Sequence, residues 1–198
     1  MSRQTTQAAS AAIFNGGHMA NIFLCSDHHF FHSNILTFKN NDGTSLRTFD
    51  DVNHMNEYMV MQHNRVVMPN DKVYFLGDVT MAKNAKGLEI LRRMNGEKIL
   101  IKGNHDLCTA HAYLEHFKDI RGTHQLDGFI MSHIPIHPES LSRWKANVHG
   151  HLHSNRVLND NGHIDERYQS VCMEQLDDYT PISLEQMKSK MRKANLIP

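Results

Sequence analysis

Four times along this chain a short apolar run ends in side chains suited to holding a cation. Asn21 to Ser26 ends at Asp27, Lys72 to Leu76 at Gly77-Asp78, Lys98 to Lys102 at Gly103-Asn104-His105-Asp106, and Phe129 to Ser132 at His133. Short apolar runs with polar boundaries read as buried strands. Between them lie segments of helical spacing. Val52, Met55, Met59 and Val66 follow a capping Asp50 or Asp51 and stop before Pro69, Ala85 to Met94 closes at Asn95-Gly96, and Ala110 to Phe117 makes a third helix. Ser183, with Glu185 and Gln186 behind it, starts a last helix. Alternating strands and helices predict an α/β layered fold, and the Asp127-Gly128 turn signal, with hairpins from Ile120 onward, predicts that part of the sheet is antiparallel. Ligands of open α/β sheets bind outside the carboxyl ends of the strands, where these polar side chains accumulate.

The 198 residues suit one domain with a real core. Residues 1–18, rich in Ser, Thr, Gln, Ala and Gly, read as a flexible leader or one left by cloning, with the start at Met19 and a single domain over 19–198. Lys plus Arg and Asp plus Glu are both 21, so no global field draws the chain to DNA or an anionic membrane. No apolar run approaches the roughly 18 to 20 residues that span a bilayer. Cys25, Cys108 and Cys172 are too scattered for a disulfide framework or a thiolate site and read as reduced core residues, so a cytoplasmic protein without membrane contact is expected.

Sixteen histidines need a reason, because imidazole is a poor default core filler and a good metal ligand. In Asp27-His28-His29 a carboxylate and an imidazole two residues apart point to one side if the segment is extended. Asp78 adds a carboxylate, Asn104 an amide oxygen, and His133, His149, His151 and His153 more imidazoles. Oxygen and nitrogen donors without sulfur suit Mn, Fe, Zn, Ni or Co better than Cu(I), and the imidazoles are too many for a pure Ca or Mg cage. Two adjacent cations would need a bridging anion, which a carboxylate supplies.

Asp27-x-His29, Gly77-Asp78, Gly103-Asn104-His105-Asp106, the isolated His133 and Gly150-His151-Leu152-His153 occur in the order seen in calcineurin-like metallophosphoesterases. The chain resembles that superfamily from about Ile22 to Tyr179. The resemblance implies an αββα sandwich of two mixed β-sheets with helices outside and a metal site at the carboxyl ends of the strands. It implies two divalent ions, Mn first among the candidates. Asp27, His29, Asp78 and His153 would hold one ion, and Asp78, Asn104, His133 and His151 the other, with Asp78 as the bridge. The implied reaction is hydrolysis of a phosphoester by a hydroxide shared between the ions. His105 would be the general acid, oriented by Asp106, and Asn104 and His32 would contact substrate.

The favoured substrate is a small phosphodiester or a nucleotide-like phosphate. The alternatives are a phosphomonoesterase, including a protein phosphatase, a DNA or RNA nuclease, or a non-catalytic scaffold like the retromer-type members of that superfamily. A nuclease would bring a basic face that this neutral chain lacks. Lys188, Lys190, Arg192 and Lys193 read as a solvated helix end rather than a nucleic-acid contact. His149 reads as support or packing, and His28 as structural or at the rim. His18, His54, His63, His111, His116, His124, His137 and His163 read as surface residues, the methionines as plastic core and rim, and Trp144 as packing.

Overall fold

The computed structural model describes residues 20–82 and 84–198. The predicted leader over 1–18, the start at Met19 and His18 lie outside them.

The apolar runs form strands β1 (Ile22–Cys25), β2 (Lys72–Phe75) and β3 (Glu97–Ile101), paired in parallel and followed by β4 (Asp119–Arg121). Consecutive positions in β1 and β2 are buried, as in a sheet covered on both faces, which is why these runs are continuous rather than alternating. A short β9 (Ile182–Ser183) adds antiparallel to β1, giving the order β4-β3-β2-β1-β9. The second sheet has the order β5-β6-β7-β8, from β5 (Thr123–Leu126), β6 (Phe129–Ser132), β7 (Asn147–His149) and β8 (Tyr168–Ser170). Asp127 and Gly128 turn β5 into β6 with φ of 48° and 86°, the left-handed pair of a tight hairpin. This is the one hairpin after Ile120 among the described strands: β6, β7 and β8 run parallel, joined by longer crossings. The chain is therefore an α/β protein with two mixed sheets.

Helix α1 (Val52–Val66) starts where Asp51 Oδ1 accepts from the backbone N–H groups of Asn53 and His54, at 2.7 and 2.8 Å. The expected helix over 85–94 is instead a 3-10 segment, Ala85–Arg93, which still buries Leu88, Ile90 and Leu91. Helix α2 (Ala110–Leu114) is shorter than expected, because the N–H groups of His116 and Phe117 both turn back to the carbonyl of Tyr113. Helix α3 (Leu184–Lys193) begins with the reciprocal Ser183 and Gln186 capping box.

One core unites these parts. Leu24, Phe75 and Leu100 of the first sheet cluster with Met131 and Val148 of the second, with Met55 and Met59 of α1, and with Met187 and Met191 of α3. Trp144 packs on a smaller cluster of Ile130, Leu141 and Tyr168. Two histidines expected at the surface are not there. His63 lies on the buried face of α1 with its ring stacked on Phe75, 5.9 Å between centroids, and the His116 side chain is only 2% exposed. No helix among the described residues is long and apolar enough to cross a membrane. A parallel bridge between Ser26 and Cys172 joins the ends of the two sheets, bringing the segments after β1, β2, β3, β6, β7 and β8 together.

Candidate metal centre

Each segment leaving a strand at this junction delivers a polar side chain. Asp27 and His29 follow β1, Asp78 follows β2, Asn104 follows β3, His133 follows β6, and His151 and His153 follow β7. Asp27, His29, Asp78, His151 and His153 all have positive φ, between 51° and 70°. Such backbone costs of order 1 to 3 kcal/mol per residue and persists only where surroundings impose it. It also corrects the extended geometry expected of Asp27-His28-His29 and of His149 to His153: tight left-handed turns, not strand alternation, turn these side chains inward. His28 instead is buried against Phe30 and Phe75, so it is structural and not at a rim. His149 is buried as well, its Nδ1 donating to the carbonyl of Gly150.

The forces holding these turns are specific. Asp27 and His29 donate their backbone N–H groups to the carbonyls of Gly77 and Asp78, both at 3.0 Å, zipping the loop after β1 to the loop after β2. Asp27 Oδ2 accepts from Ser26 Oγ, from the backbone N–H of His151 and from the Cys172 thiol. Burial pushes that thiol's pKa up, which keeps its proton available. Two glycines permit the approach: a Cβ on Gly77, itself at φ 89°, would lie 2.6 Å from Gly103 and from His133, and one on Gly150 would lie 2.1 Å from Ser26 Oγ.

Two donor groups result. Asp27, His29 and His153 form one, and Asp78, His133 and His151 the other, with the ligand atoms of each within 4.8 Å of one another. Between them lies Asp78 Oδ2, 3.7 Å from His29 Nε2 and 3.4 Å from His133 Nε2. Asn104 Oδ1 is 2.9 Å from His133 Nε2. Because His133 Nδ1 donates to the carbonyl of Leu76 at 2.7 Å, its Nε2 is left with a lone pair facing the amide oxygen, two acceptors in want of a shared cation. Asp27 Oδ1 and His29 Nε2 are buried without hydrogen-bond partners, 3.6 Å apart. A buried, unpaired carboxylate oxygen and imidazole nitrogen are costly unless something positive sits between them. On these grounds the residues fit a pair of divalent ions.

The electrostatics agree. Burial opposes ionisation of Asp27, but the adjacent His29 and the neighbouring imidazoles of His133 and His153 hold its carboxyl below the usual range. Asp78 is likewise held low against burial, chiefly by His133. His133 and His153 are raised in spite of burial, through Asp78 and through Glu174, whereas burial lowers His151.

Two residues that the sequence did not single out complete the site. Glu174 Oε1 accepts from His153 Nδ1 at 2.9 Å and from Arg47 Nη2 at 2.7 Å. Arg47, 2% exposed, also donates to the carbonyls of Asp27 and His28. Glu174 follows β8 as the other site residues follow their strands; Arg47 lies in a long loop and carries no local signal. Asp106 has a different place from the one expected. It is fully buried, one oxygen accepting from the N–H groups of Asp78 and Gly103 and the other from Val79, so it clamps the two ligand loops instead of orienting His105. His105 is exposed, its ring edge-on to His29 at 5.7 Å, and the ring of the half-buried His32 also lies 5.7 Å from that of His29.

No family model matches the chain. Over 184 residues, 90% of this chain and 96% of the relative, it is 33% identical to the uncharacterized protein MJ1445 of Methanocaldococcus jannaschii. Its fold is similar to the crystal structure of AQ665 from Aquifex aeolicus, a protein of unknown function, with a TM-score of 0.62 and 25% identity over 86% of this chain and 99% of that one.

Proposed function

The chain belongs to the family of the uncharacterized protein MJ1445, and we propose that it is a metal-dependent phosphoesterase of the calcineurin-like kind, hydrolysing a small phosphodiester or nucleotide-like phosphate. The observation that carries this reading is the pair of Asp and His groups that meet at Asp78 Oδ2. Asp27, His29, Asp78 and His153 would hold one divalent ion, and Asp78, Asn104, His133 and His151 the other, outside the carboxyl ends of the strands. Two such ions, with Mn the first candidate and Fe, Zn, Ni or Co as others, acidify water and neutralise charge on phosphoryl oxygens.

The protein's part is to position and to move a proton. Asp78 offers one oxygen to both groups while its other oxygen accepts from the backbone N–H of His105 at 2.8 Å, so the bridge and the loop of the general acid share one anchor. His105, outside both groups and open to solvent, donates a proton to the leaving oxygen. Asn104 and His32 flank the phosphate. Asp106 acts through the loops it clamps.

The test is metal analysis of the purified protein with added Mn, beside its turnover of bis(4-nitrophenyl) phosphate and 4-nitrophenyl phosphate. Two ions per chain and faster cleavage of the diester are expected. A protein that holds two ions and cleaves neither ester is a scaffold, and the proposal fails.

A further inference from the structure

Beside the candidate metal centre, the hairpin-like loop over 38–46 and the turn over 153–155 border a half-open cavity of about 370 Å³, lined among others by Phe38, Lys39, Asn41, Asn155 and His153. Its volume is in the range of small-molecule sites. It opens from the centre itself: His153 belongs to one of the two donor groups, and a row of rings runs outward from it, His153 to His29 at 5.1 Å, His29 to His32 at 5.7 Å and His32 to Phe38 at 5.6 Å.

We infer that this cavity is a nucleoside subsite, in which Phe38 stacks on the base of a phosphoester held at the metal centre; the inference rests on the hydrolase reading. Three features specify the ligand. Phe38 keeps 45% of its surface exposed at the end of the ring row, a free aromatic face beside a polar site. The amides of Asn41 and Asn155 bond to each other at 3.1 Å, and whichever way round they are drawn that bond uses one amide's nitrogen and the other's oxygen, which leaves an oxygen on the first and a nitrogen on the second for the edge of a base. No carboxylate is among the residues lining this depression, and Lys39 there favours an anionic ligand.

The wall is also held in place before any ligand arrives. Ser154 Oγ donates to Asn40 Oδ1 at 2.6 Å, and the loop is closed on itself by backbone bonds between Asn40 and Thr44 and between Leu46 and Phe38, both at 2.9 Å. A preformed wall loses little entropy on binding. An aliphatic phosphoester would leave the Phe38 face and the two amides unused.

The experiment measures inhibition of Mn-dependent bis(4-nitrophenyl) phosphate cleavage by thymidine 5′-monophosphate and by methyl phosphate, which carry the same charged group. The wild-type protein should bind the nucleotide at least about tenfold more tightly, the worth of one stacked base. Phe38→Ala should remove most of that difference, Phe38→Tyr should keep it, and neither should change inhibition by methyl phosphate. Equal inhibition of the wild type by both ligands overturns the subsite while the hydrolase reading stands. Calorimetric titration of the Mn-loaded protein with the same two ligands reads the subsite even where no ester is cleaved, and equal affinities there overturn it too. Absence of cleavage with nucleotide preference intact overturns only the hydrolase reading.

Discussion

His105 and Glu174 both lie outside the two donor groups, yet their substitution should be felt in different measurements. His105 lies outside the donor groups with its ring exposed, so His105→Ala should leave metal content intact and slow cleavage of an alkyl ester roughly 10²- to 10⁴-fold, the usual worth of a general acid. With a nitrophenyl ester, whose leaving group needs no proton, the loss should shrink. Equal losses with both esters would sink the acid role. Glu174 instead fixes which nitrogen of His153 carries the proton, by accepting from Nδ1, and Arg47 holds Glu174 in place. Glu174→Gln keeps the shape and removes the charge. It should lower metal affinity about 10- to 100-fold, as losses of such outer partners do, while the far-ultraviolet circular dichroism stays unchanged. Chelator competition is the measurement, and an unaltered affinity would mean that His153 needs no carboxylate behind it.

At the scale of elements, the strands and their polar ends were legible because the apolar runs of β1, β2 and β6 are buried from their first or second residue on and stop abruptly at a ligand-type residue. The cap of α1 was legible for a similar reason, since a carboxylate just before a helical repeat has one obvious use. Asp51→Ala should cost about 1 kcal/mol, read as a lower urea midpoint with an unchanged slope. A midpoint that does not move would show that α1 is held by Met55 and Met59 in the core and not by its start. The turns were not legible. Nothing local predicts positive φ at Asp27 or Asp78, because the bonds that hold them come from Gly77 and Arg47 at the first and from Asp106 at the second, all distant in sequence. For the same reason Asp106 looked like a partner of its neighbour His105 when its bonds run to the loop after β2. The three-ten winding of Ala85–Arg93 escaped too, since amphipathic spacing barely separates it from an α-helix over so short a span.

For the molecule as a whole, burying His63 away from any acid ties stability to pH. His63 donates from Nε2 to the carbonyl of Asn95, leaves Nδ1 buried without a partner, and packs near His28, which is itself buried. Burial lowers the His63 pKa to about 4, outweighing the bond to Asn95, and lowers that of His28 as well. Unfolded, His63 titrates near 6.5. Between those values the unfolded chain binds the proton and the folded one does not, so this stability is complete above about 6.5 and drains away as pH falls toward 4. The full effect is on the order of 3 kcal/mol for His63. Asp27, Asp78 and Glu174, all held below their ordinary values, lose their contribution only at lower pH, below the ordinary carboxylate range. His133 and His153, held high, act in the opposite sense and are lost as pH rises. The His63 effect is therefore isolated by comparison: in urea unfolding at pH 7.5 and 4.5, the stability gap between wild type and His63→Gln should shift by up to that amount against the wild type on acidification. Because His28, Asp27, Asp78, His133 and His153 are present in both proteins, a gap constant between those pH values would place the acid sensitivity of the fold around Asp27 and not in the face of α1.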